Sequence, residues 1–330
     1  MASQQLTLRR PLSPRAFGLV LAGSAALLLA TRLFAADGAG VQTFVLIFTS
    51  IVVEALPFVL LGALVSAAIE VFVSDAAFAR LARLPLPLQL PGAALGGFAF
   101  PVCECGSVPV ARRLIAKGMH PAAGLAFMLA APILNPIVLW STFVAYDGRD
   151  LGWEMVGARA SLGLLLGVAA GWAIGTEGAA GLLRSRPPSE HEHVSEGGRT
   201  GAFVRHLAGD FNFMGRFVVI GAGLAALLQT AIPQGVISNV ARTPLVGTLA
   251  MMGLAYLLSL CSEADAFVAV SFVQFPLGSQ LAFLVFGPAI DAKLSFLYGA
   301  TFKRQFVLRL LAVAIPLILM GSLWAEALLL

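Results

Sequence analysis

Residues 98–136, FAFPVCECGSVPVARRLIAKGMHPAAGLAFMLAAPILNP, decide the reading of this chain. The run holds two of the three cysteines, Cys103 and Cys105, with Glu104 between them, prolines at 101, 109, 121, 132 and 136, and Asn135. Proline lacks a backbone donor and clashes with the preceding turn, so a segment this rich in proline cannot be one straight spanning helix. At membrane depth, broken backbone survives only where protein covers it or where it lines a watery cavity. The stretch is therefore the candidate site, with unwound backbone expected between Pro101 and Pro109. An extended chain there would bring the sulfurs of Cys103 and Cys105 to one side, since positions i and i+2 diverge on a helix.

The surrounding sequence sets the solvent. In 330 residues, 59% are hydrophobic and only 12% are charged, a balance outside the range of soluble domains and expected of an all-α polytopic membrane bundle. The net charge of +4 sits in short basic clusters between apolar spans, where it reports orientation and not nucleic-acid binding. Three cysteines, two of them one residue apart, do not make a disulfide framework and are read as free thiols.

Taken in order, residues 1–40 form a basic tail with Arg9, Arg10 and Arg15 and a first apolar helix from about 16 to 36. That helix is longer than a signal h-region and is expected to be retained, with the N-terminus cytoplasmic in the inner membrane. Residues 41–175 form a first membrane unit. It starts with an apolar run to 73 interrupted by Glu54, Pro57 and Glu70, followed by Arg80 and Arg83. The segment 88–111, between two basic clusters, is expected to dip in and return to the same side. Spans over 122–146 and 153–174 follow, and Arg112, Arg113 and Lys117 are read as topology determinants. Residues 176–210 read as a solvated cytoplasmic linker, in which His191 and His193 have no further ligand spacing. Residues 211–330 form a second membrane unit.

The two units match. PFVLLGALVSA from Pro57 aligns with RFVVIGAGLAA from Arg216, CECGSVPVA from Cys103 with CSEADAFVA from Cys261, and AFMLAAPILN from Ala126 with AFLVFGPAID from Ala282. This is an internal repeat. The loop with Asp147, Arg149 and Asp150 should face outside, and the matching Lys303, Arg304 and Arg309 inside, so the repeat is expected to be inverted. Two broken segments would then meet near the midplane. The alternative is a count of eight or nine full spans, because 243–275 is long enough to cross.

Ionisable groups inside apolar sequence are functional candidates by default. The expected substrate-binding set is Cys103, Cys105, Cys261, Glu104, Asn135, Glu263, Asp265 and Asp291, with Glu54, Pro132, Pro288 and Lys293 as coupling or gating positions. Thiolates suit soft metals and metalloids, and carboxylates suit a proton or a hard cation. Glu54 could instead pair with Lys293, Asp291 and Lys293 could pair only with each other near an interface, and the cysteines could be plain packing.

EALPF at 54–58, VCECGSVPVARRL at 102–114, GLAFMLAAPILNPIV at 124–138, CSEADAFVA at 261–269 and FGPAIDAKL at 286–294 resemble the bacterial permeases that include the organoarsenical efflux permease ArsP and the YraQ-like predicted permeases. The resemblance runs from about 41 to 328. It implies a membrane permease, with some members exporting trivalent organoarsenicals and with a second membrane subunit as partner, and it points to a thiol-based substrate site at Cys103, Cys105 and Cys261. No cofactor, resident metal ion or nucleic acid is expected. No GxxxxGK[ST] motif occurs, so energy would come from an ion gradient or a partner. A membrane enzyme is disfavoured, since no nucleophile–base spacing is seen and Cys-x-Cys is not the Cys-x-x-Cys redox signature.

Overall fold

A computed structural model describes residues 39–72, 84–99, 102–175, 179–184, 198–231, 244–303 and 305–328. The first apolar helix, Arg80, Arg83, Pro101, His191 and His193 lie outside the described residues. Contacts divide the chain into Met1–Ile47 and Phe48–Leu330. In the first unit the described residues are the opening turns of a long helix, and the second unit holds the rest.

The described residues are all-α, apart from one isolated antiparallel bridge between Leu183 and Phe302. Among the described residues, six helical stretches are long and apolar enough to cross a bilayer: Gly40–Phe72, Pro121–Asp147, Gly152–Gly175, Thr200–Thr230, Leu277–Thr301 and Gln305–Leu328. In chain order the helices are α1 (Ala39–Phe72), α2 (Leu86–Leu95), α3 (Glu104–Ala116), α4 (Pro121–Leu134), α5 (Pro136–Asp147), α6 (Gly152–Gly175) and the single turn α7 (Ala179–Leu182). They continue as α8 (Gly198–Ala231), α9 (Pro244–Leu258), α10 (Asp265–Ser271), α11 (Leu277–Ala289), α12 (Ala292–Thr301) and α13 (Gln305–Leu328). The order of elements recurs. A 34-residue helix opens each half (α1, α8) and a 24-residue helix closes it (α6, α13). Between them lie two short helices separated by a cysteine-bearing break, then two helices separated by a break at Asn135 or at Ile290 and Asp291.

Proline acts more locally than its density suggests. Pro109 lies inside α3, Pro132 inside α4 and Pro288 inside α11, while Pro121 and Pro136 open α4 and α5, where a missing N–H costs nothing. The unwinding expected from Pro101 to Pro109 is thus confined: helix resumes at Glu104, and Pro109 is carried within it. Pro57 likewise sits inside α1, which at about 1.5 Å per residue is about 50 Å long and exceeds a hydrocarbon core of about 30 Å. Residues 198–210, assigned to the linker from their polarity, are the first turns of α8. The stretch 243–275 does not cross as one helix, because it breaks between Leu258 and Asp265.

Close packing of α4 on α6 comes from small residues. Gly163, Gly167, Gly171 and Gly175 recur every fourth position on α6, and a Cβ at any of them would collide with Ile133, Ala130, Ala126 or Ala122 of α4. With lipid outside as apolar as the helix surface, such backbone approach is a main source of association. Gly62 of α1 and Gly106 of α3 are matched in the same way, each occupying the space a side chain on the other would need.

Candidate functional site

Each cysteine-bearing break ends where a short helix begins on an acid. Cys103 is the extended residue before α3 (φ −74°, ψ 175°), and Glu104 is the first residue of that helix. In the second half, Ser259 takes a left-handed backbone (φ 48°), a conformation costly for a residue with a Cβ. Its hydroxyl accepts the Ala292 N–H at 3.1 Å, which ties the break to the start of α12. The Cys261 carbonyl accepts from the N–H groups of Ala264 and Asp265, and α10 starts at Asp265. An acid in the first turn also suits the positive end of the helix dipole.

Both acids are paired with a base from the other half. Glu104, 1% exposed, receives the Lys293 ammonium at 2.8 Å on Oε1 and the Ser262 hydroxyl at 2.9 Å on Oε2. Asp265 takes a two-pronged contact from the fully buried Arg159 of α6, at 2.9 Å on Oδ1 and 2.6 Å on Oδ2. Arg159 also donates to Thr142 Oγ1 at 2.7 Å and to the Ser262 carbonyl at 3.4 Å, so Ser262 touches both pairs. Such planar forks hold geometry as well as charge.

Asp291 and Lys293 do not pair alone near an interface. Both are buried. Lys293 makes its shortest contact with Glu104 and lies 3.5 Å from Asp291, whose other oxygen accepts the Leu294 N–H at 2.6 Å as the N-cap of α12. Asn135 plays the matching part in the first half, accepting the Ile137 N–H at 2.9 Å as the N-cap of α5. Pro132 is carried inside α4 and Pro288 inside α11, both buried, and Asn135 follows α4 directly. Glu54 is half-buried on α1, where it feels the charges of Lys293 and Glu104, but the ammonium's direct partners are Glu104 and Asp291.

The three thiols converge. Cys103, Cys105 and Cys261 are free and buried in one cluster with Ala55, Val59 and Ala63 of α1 and Met214 and Val218 of α8. Cys103 and Cys105 come from the first break and Cys261 from the second, so the cluster joins the two breaks. Only Cys103 has the extended backbone that the Cys-x-Cys spacing was expected to need; Cys105 lies in the first turn of α3, and both thiols belong to the same buried cluster.

Beside the thiols lies an incomplete polar group. Neither carboxylate oxygen of Glu263 is accessible to solvent or hydrogen-bonded among the described residues. Ligand atoms of Glu104, Cys261 and Glu263 fall within 4.8 Å of one another, a spacing that could hold a metal ion. Both oxygens of Glu104 are already engaged, by Lys293 and Ser262, so an ion there would compete with an ammonium for that ligand.

Two features were not recognised in the sequence reading. Arg159 interrupts the apolar run 153–174, and a lone arginine in such a run was a visible signal. The second concerns Arg113, read above as a topology determinant. Its guanidinium contacts Glu70 of α1 at 2.8 Å, Asp210 of α8 at 2.6 Å and the Ser66 hydroxyl at 2.6 Å. Ser66 itself donates to Asp210 at 2.7 Å, and Lys117 reaches the Ile69 and Glu70 carbonyls at 3.2 and 2.9 Å.

A family model described as a predicted permease matches residues 41–326. Protein YcgR of Bacillus subtilis is 40% identical over 281 residues, covering 84% of this chain and 95% of its own length. A Streptococcus mutans protein, named as a proposed subunit of a two-component membrane permease complex, is 35% identical over 292 residues, covering 84% of this chain and 93% of its own. No solved structure gives a significant match. A family match that takes in both broken segments, the cross-half ion pairs and all three thiols, on a scaffold of six membrane-length helices, establishes that the chain belongs to the predicted permease family and is a multi-pass membrane permease.

Proposed function

We propose that this permease carries a soft, thiol-reactive metalloid or metal compound, of the trivalent organoarsenical kind, out of the cell. The observation that carries the reading is the convergence of Cys103, Cys105 and Cys261 where the two broken segments meet. Thiols bind soft electrophiles well and hard cations poorly. The neighbouring charges are largely cancelled in pairs, Glu104 with Lys293 and Asp265 with Arg159, which suits a substrate of low net charge. The recurring element order supports a pair of related halves that move about this centre, exposing it to one side and then the other while the buried cross-half pairs hold.

The test is flux of phenylarsine oxide in vesicles reconstituted with the full chain. The expected result is carrier-dependent flux that falls at least tenfold in a Cys103→Ser, Cys105→Ser double variant. Flux unchanged in the double variant, or equal to that of empty vesicles even when the co-purifying membrane fraction is included, would sink the substrate class. A second reading has support from the Streptococcus mutans relative, whose name makes it a subunit of a two-component complex. On that reading a second membrane protein co-purifies with this chain and is required for flux. Transport by the chain purified alone would exclude it.

A further inference from the structure

We infer that Arg113, with Glu70, Asp210 and Ser66, is the gate that closes one face of the transport path. The inference rests on the permease reading but not on the identity of the substrate.

The thiol cluster is walled by α1, by the start of α3 and by α8. The same three helices meet again about two turns further along α3 from Cys105, at Arg113. There one guanidinium holds all of them: Glu70 and Ser66 belong to α1, Arg113 to α3 and Asp210 to α8. A contact set of this kind exists only while the three helices are drawn together. Opening a path between them toward this face has to break it.

Exposure separates this cluster from the pairs at the centre. The side chains of Arg113, Glu70 and Asp210 are 16%, 33% and 7% exposed, against 0% and 4% for Arg159 and Asp265 and 2% and 1% for Lys293 and Glu104. Arg113 and Glu70 are partly exposed and regain solvent when they part, whereas the members of the central pairs do not, and Asp210 is the one buried member of the outer set. The outer cluster can therefore open repeatedly and the inner pairs hold.

The device is one-sided. In the alignment of the two halves, the positions matching Ser66, Glu70 and Arg113 are Ala225, Gln229 and Ser271, none of them charged. Gln229 instead donates to the carbonyls of Leu257 and Leu258 at 3.3 and 3.0 Å, where α9 ends. The basic residues Arg112, Arg113 and Lys117 assign the gated face to the cytoplasm.

The experiment measures labelling of the native thiols by a membrane-impermeant maleimide in sealed vesicles of both orientations, using the full chain. Arg113→Ala is expected to speed labelling at least tenfold from the cytoplasmic face and leave the opposite face unchanged. Glu70→Gln should give a smaller rise, and Arg113→Lys, which keeps the charge but cannot hold all three partners at once, should fall between wild type and Arg113→Ala. Equal acceleration from both faces would mean general loosening and would overturn the gate, as would no acceleration at all. No substrate is needed, so the two readings fail separately. One-sided labelling without phenylarsine oxide flux sinks the substrate, and flux with unchanged Arg113→Ala labelling sinks the gate.

Discussion

Two clusters of charge sit on this scaffold and differ in wetness more than in composition. At the centre, Arg159–Asp265 and Lys293–Glu104 are shut away from solvent and each joins one half of the chain to the other. At the rim, Arg113 joins α1, α3 and α8 through Glu70 and Asp210, with Arg113 and Glu70 partly exposed and Asp210 buried. The same side-chain chemistry becomes a fixed joint in one place and a releasable contact in the other, because the cost of separating charges depends on what replaces the lost partner.

The sharpest way to break this comparison is to remove one member of a dry pair. Arg159→Met leaves Asp265 buried and unpaired, and should destabilise the folded protein by about 3–5 kcal/mol. Thermal unfolding of purified protein in detergent checks it. The double variant Arg159→Met, Asp265→Leu should recover most of that loss, since no lone charge remains. If the single variant is as stable as wild type, the centre is wetter than the geometry states.

Helix spacing comes next. Gly106→Ala puts a methyl against the backbone of Gly62 and should cost about 1–3 kcal/mol through forced separation of α1 and α3. The same variant should speed maleimide labelling of the adjacent thiols. The cap at the first-half break should matter less: Asn135→Ala removes the acceptor for the Ile137 N–H, at about 1 kcal/mol, and Asn135→Ser, which keeps a neutral acceptor, should lose less. The smallest effect is expected at the rim. Glu70→Gln should change stability by about 0–1 kcal/mol, and the difference from wild type should shrink in high salt. A large, salt-independent loss there would erase the distinction between the two clusters.

Much of the site was legible from residue types in unfavourable surroundings. Cys103, Cys105, Cys261, Glu104, Glu263 and Lys293 were marked because acids, a base and thiols stand out in apolar sequence, and the structure gathers them at one place. Partner choice was not legible. Lys293 lies two residues from Asp291 but takes Glu104, 189 positions away, as its closest partner. Nor was the capping by Asn135 and Asp291 read from the sequence, although a side-chain acceptor just before a helix caps it whatever else lies near. Arg113 looked like an ordinary orientation signal because basic residues cluster beside spans for that reason in most membrane proteins.

Local pattern along the chain sets the solvent, the helical class and the first cysteine-bearing break, while 243–275 was long enough to cross as one helix. Each of these follows from local cost: apolar length, obligatory backbone hydrogen bonding in lipid, and helix starts that accept proline or an acid. Only the tertiary structure decided that Pro109 rides within a helix, that each half lends a base to the other's acid, and that one arginine holds three helices at the rim. Those outcomes depend on which helices come within about 3 Å of one another, which is set by packing of glycine and alanine faces across the whole unit and not by any one segment.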